Sequence, residues 1–236
     1  ETLIYSCLQG IMGEIYGAGG ECCTSAMAVI GDFCFFAGRP NSELAGFRPE
    51  TYKMRQFIIM VPQSEEWSSV IESVYGNRAV KRIRYATKKE NAFDNAKLRA
   101  ASENLPEGFE LRMIDEALYR QCAENEWSRD LVSLFRSYED YGRLGLGVVA
   151  VKDGEILSGA SSYSRYEGGI EIEIDTREDY RRRGFAYACG ARLIAECIER
   201  GLYPSWDAQN KWSLALAEKL GYRFDCEYPV YEVYGY

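Results

Sequence analysis

Residues 170–186 carry the chain's most readable chemistry. Glu171, Glu173 and Asp175 alternate with Ile170, Ile172 and Ile174. In an extended segment that alternation puts the carboxylates on one face and the isoleucines on the other. Such a face suits a polar cleft that binds a cationic group or accepts its proton; ordinary solvated or hydrogen-bonded carboxylates are the competing reading. Further on, Arg181, Arg182 and Arg183 run directly into Gly184, Phe185 and Ala186. Consecutive basic residues at a helix start oppose the helix dipole, so a bound anion explains them better than a solvated first turn does. Unpaired first-turn N–H groups would hold that anion, and the glycine would let the backbone come close.

The absence of histidine removes Ser-His-Asp and Cys-His catalysis and every zinc site that needs imidazole. No metal is expected, and acid-base work falls to Glu, Asp, Tyr, Cys, Lys or water. The eight cysteines form no Cys-x-x-Cys pair, so reduced, buried thiols are expected. Cys189 and Cys197 sit at apolar spacing on one helix and read as core rather than nucleophiles. A net charge of −8 argues against a nucleic-acid partner and suits a cationic small substrate. Nothing resembles a membrane span of about 18 apolar residues or a signal peptide, so a cytoplasmic location is expected, with no membrane partner.

The elements that must position these groups follow from periodicity. Apolar residues from Leu3 to Tyr16 share one helical stripe, stopped by Gly17, Gly19 and Gly20. Ser25 to Ile30 and Phe33 to Ala37, around Gly31-Asp32, read as a hairpin. Then come a strand over Phe57 to Val61, a helix capped by Ser64 and a strand over Ala79 to Ala86. Residues 1–92 thus form a small α/β domain, and the polar stretch 93–108 a mixed helix and linker. In residues 109–236 a strand, a helix capped by Asp115 and a second helix around Trp127 to Phe135 precede three strands. Helix, strand, helix and strand follow. This mixed α/β order fits no doubly wound nucleotide fold.

Arg181-x-x-Gly184-x-Ala186 resembles the Gln/Arg-x-x-Gly-x-Gly/Ala signature of the GNAT (GCN5-related N-acetyltransferase) superfamily. Tyr203-Pro204-Ser205-Trp206 is similar to the strand that follows in that family. Asn210-x-x-Ser213-x-x-Leu216-x-x-x-Leu220-Gly221-Tyr222 resembles its later Asn-x-x-Ala-x-x-Leu-Tyr-Glu-Lys-x-Gly-Phe helix. The wider run, with Gly31-Asp32-Phe33 and Ala37-Gly38 upstream, looks like a bacterial subgroup with an extra N-terminal domain. The signature-bearing likeness covers about residues 109–236.

The resemblance implies acetyl-CoA as cofactor, a small-molecule primary amine as acceptor, and direct acyl transfer in a ternary complex. It implies that the backbone of Arg182, Arg183, Gly184, Phe185 and Ala186, with Arg181, holds the pyrophosphate. Ile174, Asp175 and Thr176 would pair with the pantetheine arm, and Asn210 and Ser213 would line its channel, helix capping being the alternative for Asn210. Glu173 is favoured as base or amine-binding acid, with Glu171 second. Asp207 binds the amine or makes a loop hydrogen bond. Many relatives carry a tyrosine where this chain has Ala217, so Tyr222 or a tail tyrosine (Tyr228, Tyr231, Tyr234) would replace it as acid, or solvent would. A non-catalytic acyl-CoA binder or sensor with a degenerate domain is the alternative. A tandem arrangement is a third, although residues 1–92 hold no CoA-type motif. A homodimer is left open.

Overall fold

A computed structural model describes residues 1–20, 22–90 and 92–236. Helix α1 (Thr2–Leu8) ends well before the expected Tyr16. At Gly13, with φ of 82°, an added Cβ would lie 2.6 Å from Cys7 Sγ and 2.7 Å from the Val29 carbonyl oxygen. That tight turn needs glycine, and it converts the second half of the apolar stripe into strand β1 (Glu14–Ala18). β2 (Ser25–Ile30) and β3 (Phe33–Gly38) form the expected hairpin. α2 (Ser42–Gly46), β4 (Phe57–Val61), α3 (Glu65–Tyr75) and β5 (Ala79–Thr87) follow. The Ser64 side chain accepts from the Trp67 N–H and caps α3.

Next come α4 (Asn95–Glu103), β6 (Glu110–Met113), α5 (Glu116–Glu124) and α6 (Tyr138–Leu144). Three strands then run in succession: β7 (Gly147–Lys152), β8 (Glu155–Tyr166) and β9 (Gly169–Thr176). After α7 (Phe185–Glu199) come β10 (Tyr203–Ser205), β11 (Asp207–Ala208), α8 (Lys211–Leu220) and β12 (Phe224–Tyr234). The helix expected around Trp127 to Phe135 is one 3-10 turn, Arg129–Leu131. The buried Ser128 hydroxyl donates to the Cys122 carbonyl and Tyr119 donates to that of Phe135, pinning the segment into short turns.

The chain divides into two compact units. One comprises Leu3–Tyr85 with Cys226–Tyr236 and Glu1, the other Ala86–Asp225 with Thr2. These boundaries differ from the expected 1–92, 93–108 and 109–236. The stretch foreseen as a linker contains α4, which packs on α7 and buries Leu98 and Ala101, so it is part of the second unit. The C-terminal strand belongs to the first, because Tyr231 to Tyr234 pair antiparallel with Met60 to Phe57. In the first unit β1, β2, β3, β4, β12 and β5 lie side by side in that order. Their core gathers Met27, Ile58, Trp67, Ile71, Tyr231 and Val233.

The second unit is built on a sheet in the order β10-β9-β8-β7-β6. β6 to β9 pair antiparallel in succession, and β10 joins β9 in parallel. α7 covers one face, burying Phe185, Cys189, Leu193 and Cys197 against Ile170, Ile172 and Ile174. Glu171, Glu173 and Asp175 therefore occupy the opposite face, as their alternation requires. All eight cysteines are free thiols. Cys7, Cys34, Cys122, Cys189 and Cys197 are buried, as expected of reduced thiols, whereas Cys22, Cys23 and Cys226 are exposed.

Candidate functional site

The second unit's sheet forks. β10 pairs with β9 only from Tyr203 opposite Gly169 to Ser205 opposite Glu171. β9 runs on through Ile172 to Thr176, while the chain leaves it at Trp206 and β11 is not paired to it. Among the described residues, that stretch of β9 therefore has β8 on one side and no strand on the other. Backbone N–H and C=O groups on such an edge are ready to bond an extended ligand.

The turn from β9 into α7 lies at the mouth of the fork. Gly184 is the N-cap of α7, left-handed at φ 89°, and no side chain caps the helix. Ala188 is the first residue to donate within the helix, to the Gly184 carbonyl. The preceding N–H groups, at Phe185, Ala186 and Tyr187, are those a helix leaves without internal acceptors. A Cβ built on Gly184 would meet nothing within 4 Å, so open space fronts these donors. Arg182 also holds a positive φ of 62°, an uncommon state for a non-glycine residue and one that accumulates at ligand-clamping turns. Arg181 Nε donates to the Thr176 carbonyl at 3.1 Å, tying the turn to the strand end. Arg183 instead lies over the Tyr180 ring, 4.9 Å from its centroid.

A groove of about 590 Å³ runs from the turn along the Ile174–Thr176 end of β9, and Glu171 and Glu173 are not in its lining. Ile174, Asp175, Thr176, Arg181, Arg182, Gly184, Phe185, Ala186, Asn210 and Ser213 line it; Arg183 does not. The opposite wall is a stripe of α8, with Trp212, Ser213, Leu216 and Lys219 recurring at helical spacing. Trp212 is 86% exposed, and Lys219 Nζ sits 4.1 Å from the Tyr187 ring centroid. Asn210 Oδ1 accepts from the N–H groups of Trp212 and Ser213, so it caps α8 while lining the groove. Ser213 Oγ accepts from Trp206 Nε1 at 3.1 Å. Burial pushes the Asp175 carboxyl up, against the opposing pull of the Thr176 N–H and Arg181.

At the inner end of the fork, Ser164, Glu171 and Ser205 stand opposite one another on β8, β9 and β10, so their side chains share a face. Glu171 is only 7% exposed. Its Oε2 accepts from the Thr2 hydroxyl, while Oε1 and Ser164 Oγ, both buried, have no partner among the described residues. An unsatisfied buried acceptor is costly and marks a place for a water or a ligand group. Lys89 Nζ donates to Ser205 Oγ. Glu173 lies half-buried on the same face, opposite Ser161.

The other expected site residues lie elsewhere. Tyr222 is buried and its hydroxyl donates to the Pro204 carbonyl at 2.6 Å. Burial pushes that hydroxyl well above its usual range, and it does not line the groove. Asp207 is half-buried in β11, also outside the lining. Cys189 is core, as expected, with its thiol pushed up to about 12 by burial. Among the described residues no cluster of His, Cys, Asp and Glu could hold a metal, and no helix is long and apolar enough to cross a membrane.

The sequence model of the family described as GNAT acetyltransferase matches residues 1–231. The chain belongs to the GNAT acetyltransferase family. That match spans both compact units and is not confined to the stretch 109–236 where the motifs lie. An uncharacterized N-acetyltransferase of Bacillus subtilis (strain 168), YdfB, is 28% identical over 239 residues, covering 98% of this chain and 89% of that protein. The crystal structure of a GCN5-related N-acetyltransferase-like protein from Streptococcus suis 89/1591 superposes with a TM-score of 0.93 at 48% identity. It covers 99% of this chain and 93% of its own. A tandem GNAT protein from the clavulanic acid biosynthesis pathway shares the fold, with a TM-score of 0.55 at 11% identity over 95% of this chain and 85% of its own. This GNAT chain is thus an N-acetyltransferase, and acetyl-CoA is the family's acyl donor. The residues gathered here fit that donor: uncapped helix N–H groups for phosphates, an open strand edge for amides, and a tryptophan and a tyrosine for apolar contact.

Proposed function

We propose that the chain transfers an acetyl group from acetyl-CoA to the primary amine of a small molecule by direct attack in a ternary complex. The observation that carries this reading is the continuity of one groove from the uncapped start of α7 to the open edge of β9 and the α8 stripe. Bound acetyl-CoA supplies an acyl group activated as a thioester.

The N–H groups of Phe185, Ala186 and Tyr187 and the Arg182 guanidinium hold the phosphates. The backbone of Ile172 to Thr176 bonds the amide arm as a strand would. The acid face draws in the cationic acceptor. Glu171, at the last β9–β10 pair and with Oε1 free to accept, takes the amine's proton. Glu173, two residues along, helps to hold the ammonium. The net negative charge favours approach of such a substrate, and the cytoplasm is where the acyl donor is available to it.

The second reading, an acyl-CoA binder without turnover, is favoured by one observation. Ala217 offers no hydroxyl and Tyr222 has committed its own to Pro204, so neither protonates the departing thiolate. Solvent at the open groove serves that purpose in the first reading.

Calorimetric titration with acetyl-CoA tests the donor site. We expect roughly micromolar affinity, equivalent to about 8 kcal/mol, and its loss in Gly184→Glu, which puts bulk and negative charge in front of the loop. Retained affinity in a folded Gly184→Glu protein would sink the loop assignment. Thiol release in an amine screen separates the enzyme from the binder.

A further inference from the structure

The groove carries an anion of its own beside the basic turn. Among the described residues Asp175 is the one carboxylate in its lining, where Arg181, Arg182 and Lys219 supply cations and Tyr180 and Tyr187 the remaining titratable groups. Arg181 is anchored at Nε, which donates to the Thr176 carbonyl. Its Nη2 lies 3.9 Å from Asp175 Oδ1, too far for a hydrogen bond, so charge alone joins the two. The Nη hydrogens of Arg181 have no acceptor among the described residues. Asp175 Oδ1 in turn accepts from the Thr176 N–H at 2.6 Å, which holds the carboxylate at the strand end. Across β8 it stands opposite Gly159, which brings no charge. Glu173 lies two residues back on its own strand, and the 3-10 turn Arg129–Leu131 contributes Asp130. Burial raises the Asp175 carboxyl and Asp130 adds to the rise, while the Thr176 N–H and Arg181 hold it down.

A carboxylate in a groove built for phosphates repels what the groove must bind. We propose that Asp175 is the resident counter-anion of Arg181, that the donor's phosphates take Arg181 from it, and that the released carboxylate then binds a proton from solvent. The inference rests on the reading of the groove as the acyl-CoA site. Arg181 suits the exchange, because its Nε stays on Thr176 while its Nη hydrogens are open to a phosphate. Asp175 suits it as well. In one event it loses a cation and gains an anion, and both changes favour the protonated acid. No covalent bond to the donor forms or breaks. The carboxyl therefore has a higher pKa in the donor-loaded chain than in the donor-free chain. Between those two values binding takes up a proton, and affinity rises as the pH falls. Above both, Asp175 stays charged and weakens binding; below both, affinity no longer depends on it. Asp175 is thus a positioning residue that keeps Arg181 aimed before the donor arrives and couples donor loading to a proton.

The test titrates acetyl-CoA into the full chain by calorimetry, in two phosphate-free buffers of different ionisation heat, from pH about 8 down to about 6. The difference in heat between buffers gives the protons bound per donor. Protons exchanged by the donor's own phosphates cancel when wild type is compared with Asp175→Asn, whose amide keeps an acceptor oxygen for the Thr176 N–H. We expect proton uptake in wild type to exceed that of the variant by a margin that grows as the pH falls. At the alkaline end Asp175→Asn binds about 3-fold tighter than wild type, the scale of one exposed charge pair, and the two affinities converge toward acid. Asp175→Ser, which also keeps an acceptor oxygen, repeats the comparison should the asparagine variant fail to fold. Equal proton uptake in wild type and variant overturns the inference and leaves the donor reading standing. Weaker binding by the variant at every pH overturns it too, since Asp175 would then support Arg181 without being exchanged. Failure of the wild-type chain to bind acetyl-CoA removes the donor reading and the inference with it.

Discussion

Two glutamates two residues apart on β9 differ because of where the neighbouring strand stops. Glu171 is held by Thr2 and pinned between serines on both sides, with one oxygen unsatisfied, whereas Glu173 lies half-buried beyond the last β10 partner. Glu171→Gln should therefore lower kcat by about 10²–10⁴, the range of a lost general base, with acetyl-CoA affinity unchanged. Glu173→Gln should mainly raise KM for the amine. Steady-state kinetics on both variants check this ordering, and equal kcat for Glu171→Gln and wild type would remove that residue from proton transfer. The alternation of acid and isoleucine made both carboxylates legible in sequence, but it could not rank them, because the rank depends on the register with β10. Ser164, Ser205, Thr2 and Lys89 were invisible for the same reason. A serine carries little chemical signature, and only pairing across three strands turns Ser164 and Ser205 into the flanks of a carboxylate. Trp212 escaped notice because exposed positions leave no trace in apolar periodicity.

Elements whose starts are written in side-chain chemistry were readable. Asp115 and Ser64 cap α5 and α3 by accepting from the backbone three residues on, and the basic turn before Gly184 announced α7. Asn210 belongs with these, since its side chain satisfies two N–H groups of α8. Asn210→Ala should cost about 1 kcal/mol of stability, read as a lower denaturant midpoint, and should loosen the wall that carries Trp212. A midpoint unchanged from wild type would mean that water replaces the cap without loss. Where tertiary constraints override periodicity, the sequence misled. The stripe from Leu3 to Tyr16 fits one helix on paper, but close packing at Gly13 breaks it into a helix and a strand. The buried apolar residues Leu131, Val132 and Phe135 sit on short turns, not along one helical face.

At the scale of the whole chain, the boundary between units could not be read from local composition, because it is set by a strand that returns. β12 lies between β4 and β5 in the first unit, and Tyr231, Val233 and Tyr236 enter its core. A chain ended after Asp225 would leave two strand edges unpaired and those apolar contacts unmade. Such a truncation should abolish cooperative unfolding of residues 3–85, seen as lost amide-exchange protection there, while protection within β7, β8 and β9 persists. Full protection of residues 3–85 in the truncated chain would refute the role given to β12.

The same placement orders events during synthesis. A ribosome releases residues 86–225 as one uninterrupted stretch, so the unit that bears the groove can collapse as soon as it emerges. The unit before it in the chain must wait with a vacant lane between β4 and β5 until β12 arrives. Until then the open lane of the first unit invites strand exchange with neighbouring chains. Slow translation between Asp225 and Tyr236 should therefore cost soluble yield far more than an equal pause earlier in the chain.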